Sequence, residues 1–199
     1  MRCKDCKCDF KPIKSIQPRC FDCTIKRAKE QVKKNEEKKW KERKKVLKEK
    51  TTDFKEILQR RINEIARLID YGNVCISCQS KCKKENGCHF HSVGAHGKLR
   101  YNLLNIWLGC YSCNGEKGGN VHGYDNGLIE LFGKEYWDYL KFKFVLDNND
   151  IEIKSIDFKE KISIANEIIK ELKSDLIKRT PKQRLEMRLI LNKKIGIYQ

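Results

Sequence analysis

The chain has little of what marks secreted, membrane-spanning or large-core proteins. Of its 199 residues only 3 are Pro, 2 are Met and 4 are His. Apolar residues make up 39% beside 36% charged residues, which argues against a large continuous core. No run approaches the roughly eighteen apolar residues of a membrane span. The N-terminus, MRCKDCKCDF, lacks the apolar stretch of a signal peptide, so a cytoplasmic, reducing location is expected. Acidic charge is in deficit, with 27 Asp+Glu against 44 Lys+Arg and a net +17. That balance points to a polyanionic partner, most simply nucleic acid, with a merely basic surface as the plain alternative.

Cysteine is what the chain has in abundance. Its 11 cysteines fall in two groups. Cys3, Cys6, Cys8, Cys20 and Cys23 stand at the N-terminus, and Cys75, Cys78, Cys82, Cys88, Cys110 and Cys113 in the middle. In a reducing compartment such clusters point to metal ligation before disulfides. Four divisions follow: an N-terminal zinc knuckle (1–23), a basic helical arm (24–50), a zinc-framed domain with its preceding helix (51–145), and C-terminal amphipathic helices (146–199).

The arm carries 13 Lys+Arg against 5 Asp+Glu, a net +8. A helix of this length would extend roughly 40 Å. Its apolar stripe is thin, as in a solvated spacer or a phosphate-tracking arm. Thr51-Thr52-Asp53 is expected to interrupt it, with Asp53 and Glu56 capping a second helix over about 53–70. There Phe54, Ile57, Leu58, Ile62, Ile65, Ala66, Leu68 and Ile69 recur at helical spacing. Helix is expected again after 120, with strand a second option near 142–145, a turn at 147–150 and an amphipathic helix over 156–178. Thr180-Pro181 opens a last helix to about 194.

Cys3-x-x-Cys6 and Cys20-x-x-Cys23 form a four-thiolate zinc set, because a two-residue spacer lets both sulfurs of a knuckle reach one ion. Cys8 is a candidate competitor. A four-thiolate site has no open position and so implies structure, not catalysis. Cys75-x-x-Cys78 and Cys110-x-x-Cys113 form a second set around a 31-residue insertion. That insertion holds Gly87-Cys88-His89-Phe90-His91 and Asn105, and the closing knuckle reads Cys113-Asn114-x-x-Lys117. A histidine after a strand, an Asn five residues before the second knuckle, and CxxCNxxK match the HNH, or ββα-metal, nuclease signature. A neutral imidazole suits a general base near neutral pH. A divalent cation would offset charge on the scissile phosphate.

The segments CISC, GCHFHSVGAHGKLRYNLLNIWLGCYSCNGEKGGN and GYDNGLIELFGKEYWDYL resemble the NinG (Rap) proteins of lambdoid phages. The resemblance extends over roughly residues 1 to 140. It implies an HNH-type recombination nuclease acting on branched DNA such as Holliday junctions and D-loops. It makes His89 the general base, Asn105 the residue that tethers the hairpin loop and orients the histidine, and Asn114 a ligand of catalytic Mg²⁺ or Mn²⁺. Endonuclease VII shares the zinc-and-Asn logic more distantly. Many HNH sites carry Asp immediately before the base histidine, where this chain has Cys88, and Asn86 stands three before it. The cation would then lean on Asn114, water and a DNA phosphate. His91, His96 and His122 are candidates for a further ligand or, more simply, surface and DNA-contact histidines. Cys88 is either a small buried thiol or a soft ligand, and Cys82 an unpaired loop thiol.

The expected fold is α+β, mainly helical: a small zinc-stapled ββα-metal (HNH) module with an N-terminal four-Cys zinc knuckle and flanking long helices. The expected function is metal-dependent endonuclease action on branched or duplex DNA, with two structural zinc ions and catalytic Mg²⁺ or Mn²⁺. No membrane and no small-molecule substrate are expected. A non-catalytic zinc-finger DNA-binding protein and a sequence-specific HNH endonuclease are the alternatives. The C-terminal helices are read as forming a homodimer, which would supply paired cuts, or as packing on the core.

Overall fold

The computed structural model describes residues 1–14 and 17–198, those of 49–53 by backbone alone. The chain divides into two compact units, Met1–Thr52 and Asp53–Gln199.

In the first unit the backbone folds back on itself around the knuckle cysteines. Cys3 N donates to Cys8 O at 2.9 Å, Lys4 N to Pro18 O at 3.0 Å and Phe10 N to Met1 O at 2.9 Å. Helix α1 (Phe21–Ile69) begins here. Residues 24–48 are exposed all round, Trp40 at 62%, as expected of a solvated basic helix. The expected break at Thr51-Thr52-Asp53 is not observed, since the backbone is helical throughout α1. Two threonines cost only several tenths of a kcal/mol each in helix propensity, too little to stop a helix in Lys- and Glu-rich surroundings. The Asp53 side chain, and so the expected cap with Glu56, lies outside the described residues.

In the second unit the remainder of α1 buries Leu58, Ile62, Ile65, Ala66 and Ile69 completely, a stripe at helical spacing. The only sheet among the described residues is a two-stranded antiparallel hairpin, β1 (Glu85–His89) and β2 (Ile106–Cys110). Glu85 pairs with Cys110 and His89 with Ile106. The run 106–108 has no polar residue because both faces of β2 are covered. Ile106 enters a cluster with α1 and the C-terminal helices, and Trp107 a second cluster with Ile76, Cys88, Leu99 and Leu128.

After β2 the chain makes a π-helical turn (Ser112–Glu116) and a left-handed passage through Gly118, Gly119 and Asn120, then enters α2 (Val121–Phe132). On α2 a Cβ at Gly127 would collide with the Ile76 carbonyl, and one at Gly123 with the Ser77 carbonyl. The helix therefore lies directly on the Cys75/Cys78 knuckle. Short α3 (Lys134–Asp138), a π turn (Tyr139–Lys143) and α4 (Phe144–Asp147) follow, so the strand option near 142–145 is replaced by helix. Helix α5 spans Phe158–Ser174, shorter than expected at both ends. Helix α6 (Pro181–Ile195) opens with a capping box between Thr180 and Gln183. Both helices share the first cluster with α1 and β2, so their apolar faces pack on the core. No helix among the described residues is long and apolar enough to cross a membrane.

Asp70, just past α1, is completely buried. Its Oδ1 accepts from Arg184 Nε at 2.7 Å, and its Oδ2 from Arg188 Nη2 at 2.7 Å and from Leu108 N at 2.8 Å. Burial pushes the carboxyl pKa up, but the two guanidinium charges outweigh it and leave the group below its usual range. This triad joins the end of α1, strand β2 and α6 at one point.

Candidate active site and metal centres

The two four-cysteine sets assemble as the spacing requires. In each of them, Cys3/Cys6/Cys20/Cys23 and Cys75/Cys78/Cys110/Cys113, the four sulfurs lie within 4.8 Å of one another. Four sulfurs each about 2.3 Å from a zinc ion stand about 3.8 Å apart in a tetrahedron. The observed Cys6–Cys20 and Cys78–Cys110 separations are 3.7 and 3.8 Å. Backbone amides support the thiolates: Cys20 N points at Cys3 Sγ and Cys110 N at Cys75 Sγ, each at 3.3 Å. Both sets can hold zinc. Cys8 Sγ sits 3.1 Å from Cys6 Sγ, too close for both to occupy corners of one zinc tetrahedron.

The hairpin positions His89 at the end of β1. Its Nε2 lies 3.0 Å from the carbonyl oxygen of Arg100, in the loop between the strands. A carbonyl only accepts, so this bond places the proton on Nε2 and leaves the Nδ1 lone pair free. Gln59 Nε2 also lies 3.3 Å from His89 Nε2, but two N–H groups cannot bond each other, so that approach is a packing contact. Burial disfavours the imidazolium and lowers the His89 pKa below 6.5; the Arg100 charge adds to this and the Arg100 carbonyl opposes it.

Asn105 is completely buried and holds the same loop from the other side. Its Oδ1 accepts from His91 N at 2.8 Å, and its Nδ2 donates to His91 O at 3.0 Å and Leu99 O at 3.3 Å. It thus ties the residues after His89 to the residue before Arg100. With its amide engaged in this way, Asn105 is a tether rather than a group that meets a ligand.

His89 and Asn114 come together in a pocket of about 280 Å³, with Phe90, Ser92, Val93 and Tyr124 among its walls. Asn114, exposed in the middle of the π turn, has no protein partner for its amide among the described residues. Its oxygen can meet a hard cation that keeps most of its water. No carboxylate lines the pocket. A larger groove of about 820 Å³ beside Asp147, Lys193 and Tyr198 contains none of these residues.

The other candidates fall elsewhere. His91 Nε2 bonds the Leu140 carbonyl at 2.7 Å, His96 stacks edge-on against His91, and His122 lies 3.3 Å from Asn126. None lines the pocket. Cys88, next to His89 on β1, points to the opposite face and is buried in the second apolar cluster. There burial pushes its thiol up to about 12. It is the small buried thiol, not a ligand beside the base. Cys82 is a free, half-buried loop thiol. Sequence reasoning missed Gln59, Arg100, Tyr124 and the Asp70 triad. The one visible signal was a lone acid, Asp70, ending an apolar helical stripe.

A family model described as Bacteriophage Lambda NinG protein matches residues 1–175. The protein ninG of Escherichia phage lambda is 32% identical over 84 residues, 42% of this chain and 41% of that protein. Protein ninG of Escherichia phage 933W is 31% identical over 84 residues, 42% of each. The match to these relatives thus spans about two-fifths of their length. No solved structure matches. With the family model matched over most of its length, the chain belongs to the NinG family.

Proposed function

We propose that this chain is a metal-dependent, structure-selective DNA endonuclease that cleaves branched recombination intermediates in phage DNA. The observation that carries the reading is the orientation of His89. A carbonyl holds Nε2–H, which leaves Nδ1 as the basic atom, and the imidazole shares its pocket with Asn114. A base so oriented takes a proton from a water lined up on a phosphodiester, and general-base catalysis of this kind is worth roughly 10²–10⁴-fold. Asn114 would hold a divalent cation by its amide oxygen. Such a cation supplies charge stabilisation to the scissile phosphate and the leaving oxygen. The zinc sets would take no part in the chemistry; the Cys75/Cys78/Cys110/Cys113 set would clip the hairpin to the turn that presents Asn114. The basic face of α1 supports backbone contacts, which carry no base information and suit an enzyme that reads DNA shape.

The absence of a carboxylate from the pocket favours a second reading, a non-catalytic DNA-binding protein built on the same frame. One assay separates the two: junction, flap and linear duplex DNA incubated with the protein across a series of divalent metals. The nuclease reading expects cleavage of branched DNA with Mg²⁺ or Mn²⁺, reduced about 10²–10⁴-fold in His89→Ala. Binding without cleavage under every metal would establish the second reading. Site-defined cuts in linear duplex would indicate a sequence-specific enzyme instead.

A further inference from the structure

Trp40 is the only aromatic residue of the basic arm. It stands on the part of α1 within the first unit, where residues 24–48 are exposed all round. Its ring is 62% exposed, while Trp107 is completely buried and Trp137 half-buried. Tryptophan is a poorer helix former than the lysines and glutamates beside it. A ring left this open also recovers little of the stabilisation that burial would give. Neither helix formation nor packing accounts for it.

Its surroundings fit a ligand of one chemistry. The eight residues 38–45, KKWKERKK, hold six Lys+Arg against one Glu, the densest positive charge on the arm. Lys44, one turn on, places its Nζ 4.9 Å from the ring centre, where cation–π attraction holds the indole. Lys39 and Arg43 line a recess of about 420 Å³ beside the ring, with Glu36 and Glu37 one turn toward the N-terminus. The glutamates leave the C-terminal side of the ring for a phosphate.

An aromatic face set among cations suits a nucleotide whose base is unpaired: the base stacks on the ring and the phosphates of the strand meet the cations. A duplex offers phosphates to the same side chains, but its bases are already stacked on one another. The other occupant to weigh is the same arm of a second copy. Against it, the stripe Ile25, Val32, Trp40 and Leu47 is interrupted by Lys29, Glu36 and Arg43, where a coiled-coil seam needs apolar residues. Such a pairing would also set +8 against +8, whereas a DNA strand carries the complementary charge.

We propose that Trp40 is a stacking platform for an unpaired base of DNA, with Lys39, Arg43 and Lys44 on the adjoining phosphates. This deepens the proposed function by naming the feature of branched DNA that the arm meets, and it rests on that reading only for the choice of DNA as the nucleic acid.

The test uses the full chain, purified with zinc and without added Mg²⁺ or Mn²⁺, so that binding is read apart from cleavage. The probes are a fluorescein-labelled oligothymidylate and a hairpin duplex of equal charge, followed by anisotropy over a salt series. Trp40→Ala is expected to weaken single-strand binding about 5- to 150-fold, the range for one stacked base, and duplex binding by less than about twofold. The slope of log K against log salt is expected to stay unchanged, since no phosphate contact is removed. Trp40→Tyr, which keeps a ring, is expected to recover part of the affinity. Arg43→Gln combined with Lys44→Gln is expected to flatten the salt slope on both probes. Helix content and thermal midpoint of Trp40→Ala are expected to match wild type, because the ring is mostly exposed. Single-strand affinity unchanged in Trp40→Ala, or lowered equally on both probes, would overturn the inference. So would a dimer of the full chain that Trp40→Ala dissociates in sedimentation, which would give the surface to a second copy. A wild-type chain that binds as proposed but cuts nothing under any metal would overturn the nuclease reading and leave this inference in place.

Discussion

At the scale of single residues, His89 is kept neutral by burial, with the neighbouring Arg100 charge acting in the same direction. Its pKa lies below the ordinary 6.5, so the basic form is already dominant at pH 6.5. On the proposed nuclease reading, the acid limb of the kcat/KM–pH profile is accordingly expected below pH 6.5, and a limb centred above it would contradict a base role for the buried imidazole. Stability shifts with the same sign. Between the lower folded pKa and the ordinary unfolded one, the unfolded chain binds more protons, so acidification through that window removes stability. Asp70 is the other decisive residue. Replacing it with Ala would leave two buried guanidinium groups without a counter-ion, at a cost of about 3–5 kcal/mol, read as a lower urea midpoint at unchanged slope. The sequence singled out Asn105 and Asn114 by their intervals from the Cys110/Cys113 knuckle, and His89 by its place in Gly87-Cys88-His89-Phe90 and the family resemblance. Arg100 and Gln59 were invisible: they lie 41 positions apart and meet only because β1 lies against α1.

At the scale of elements, chain direction and packing contributed differently. The Thr180-Pro181 helix start and the apolar stripe of α1 over 58–69 are local patterns, and both are present. The helix break at 51–53 was read from a local pattern too, and there the weak preference of two threonines did not outweigh the helix around them. What lies beneath α2 was not readable. Gly123 and Gly127 fall one turn apart and let the helix rest on the carbonyls of Ile76 and Ser77. Gly127→Ala would ordinarily favour a helix, yet here it must displace either α2 or the knuckle. We expect destabilisation of about 1–3 kcal/mol. A thermal midpoint at or above wild type would show that α2 is not seated on the knuckle.

For the whole molecule, the two four-cysteine sets can hold zinc, and in the first unit such an ion would stand in for a core. The knuckle of the first unit has few buried apolar residues, Cys3 and Cys20 among them, so its fold depends on the ion its thiolates can hold. Denaturation in the presence of a chromogenic chelator is expected to release two zinc ions per chain, one from each four-cysteine set. Chelation of the folded protein should unfold the Met1–Thr52 knuckle, seen as loss of amide protection in its loop. Release of a single equivalent would show that one set is not a zinc site. The excess positive charge is spread as the sequence indicated, with residues 24–50 contributing +8 of the +17 on a helix exposed over 24–48.

The sequence by itself determined the quantities that depend on spacing and composition: which eight cysteines pair into two sets, where the basic charge lies, and which asparagines flank the second knuckle. These are local relations, fixed by how far a short spacer reaches. Only the tertiary structure decided which nitrogen of His89 is free, that Cys88 turns away from it into the core, and that Arg100 is held by the Gln59 amide. Each of those depends on the face a side chain takes and on what a distant segment brings against it. Composition and spacing carry no record of either.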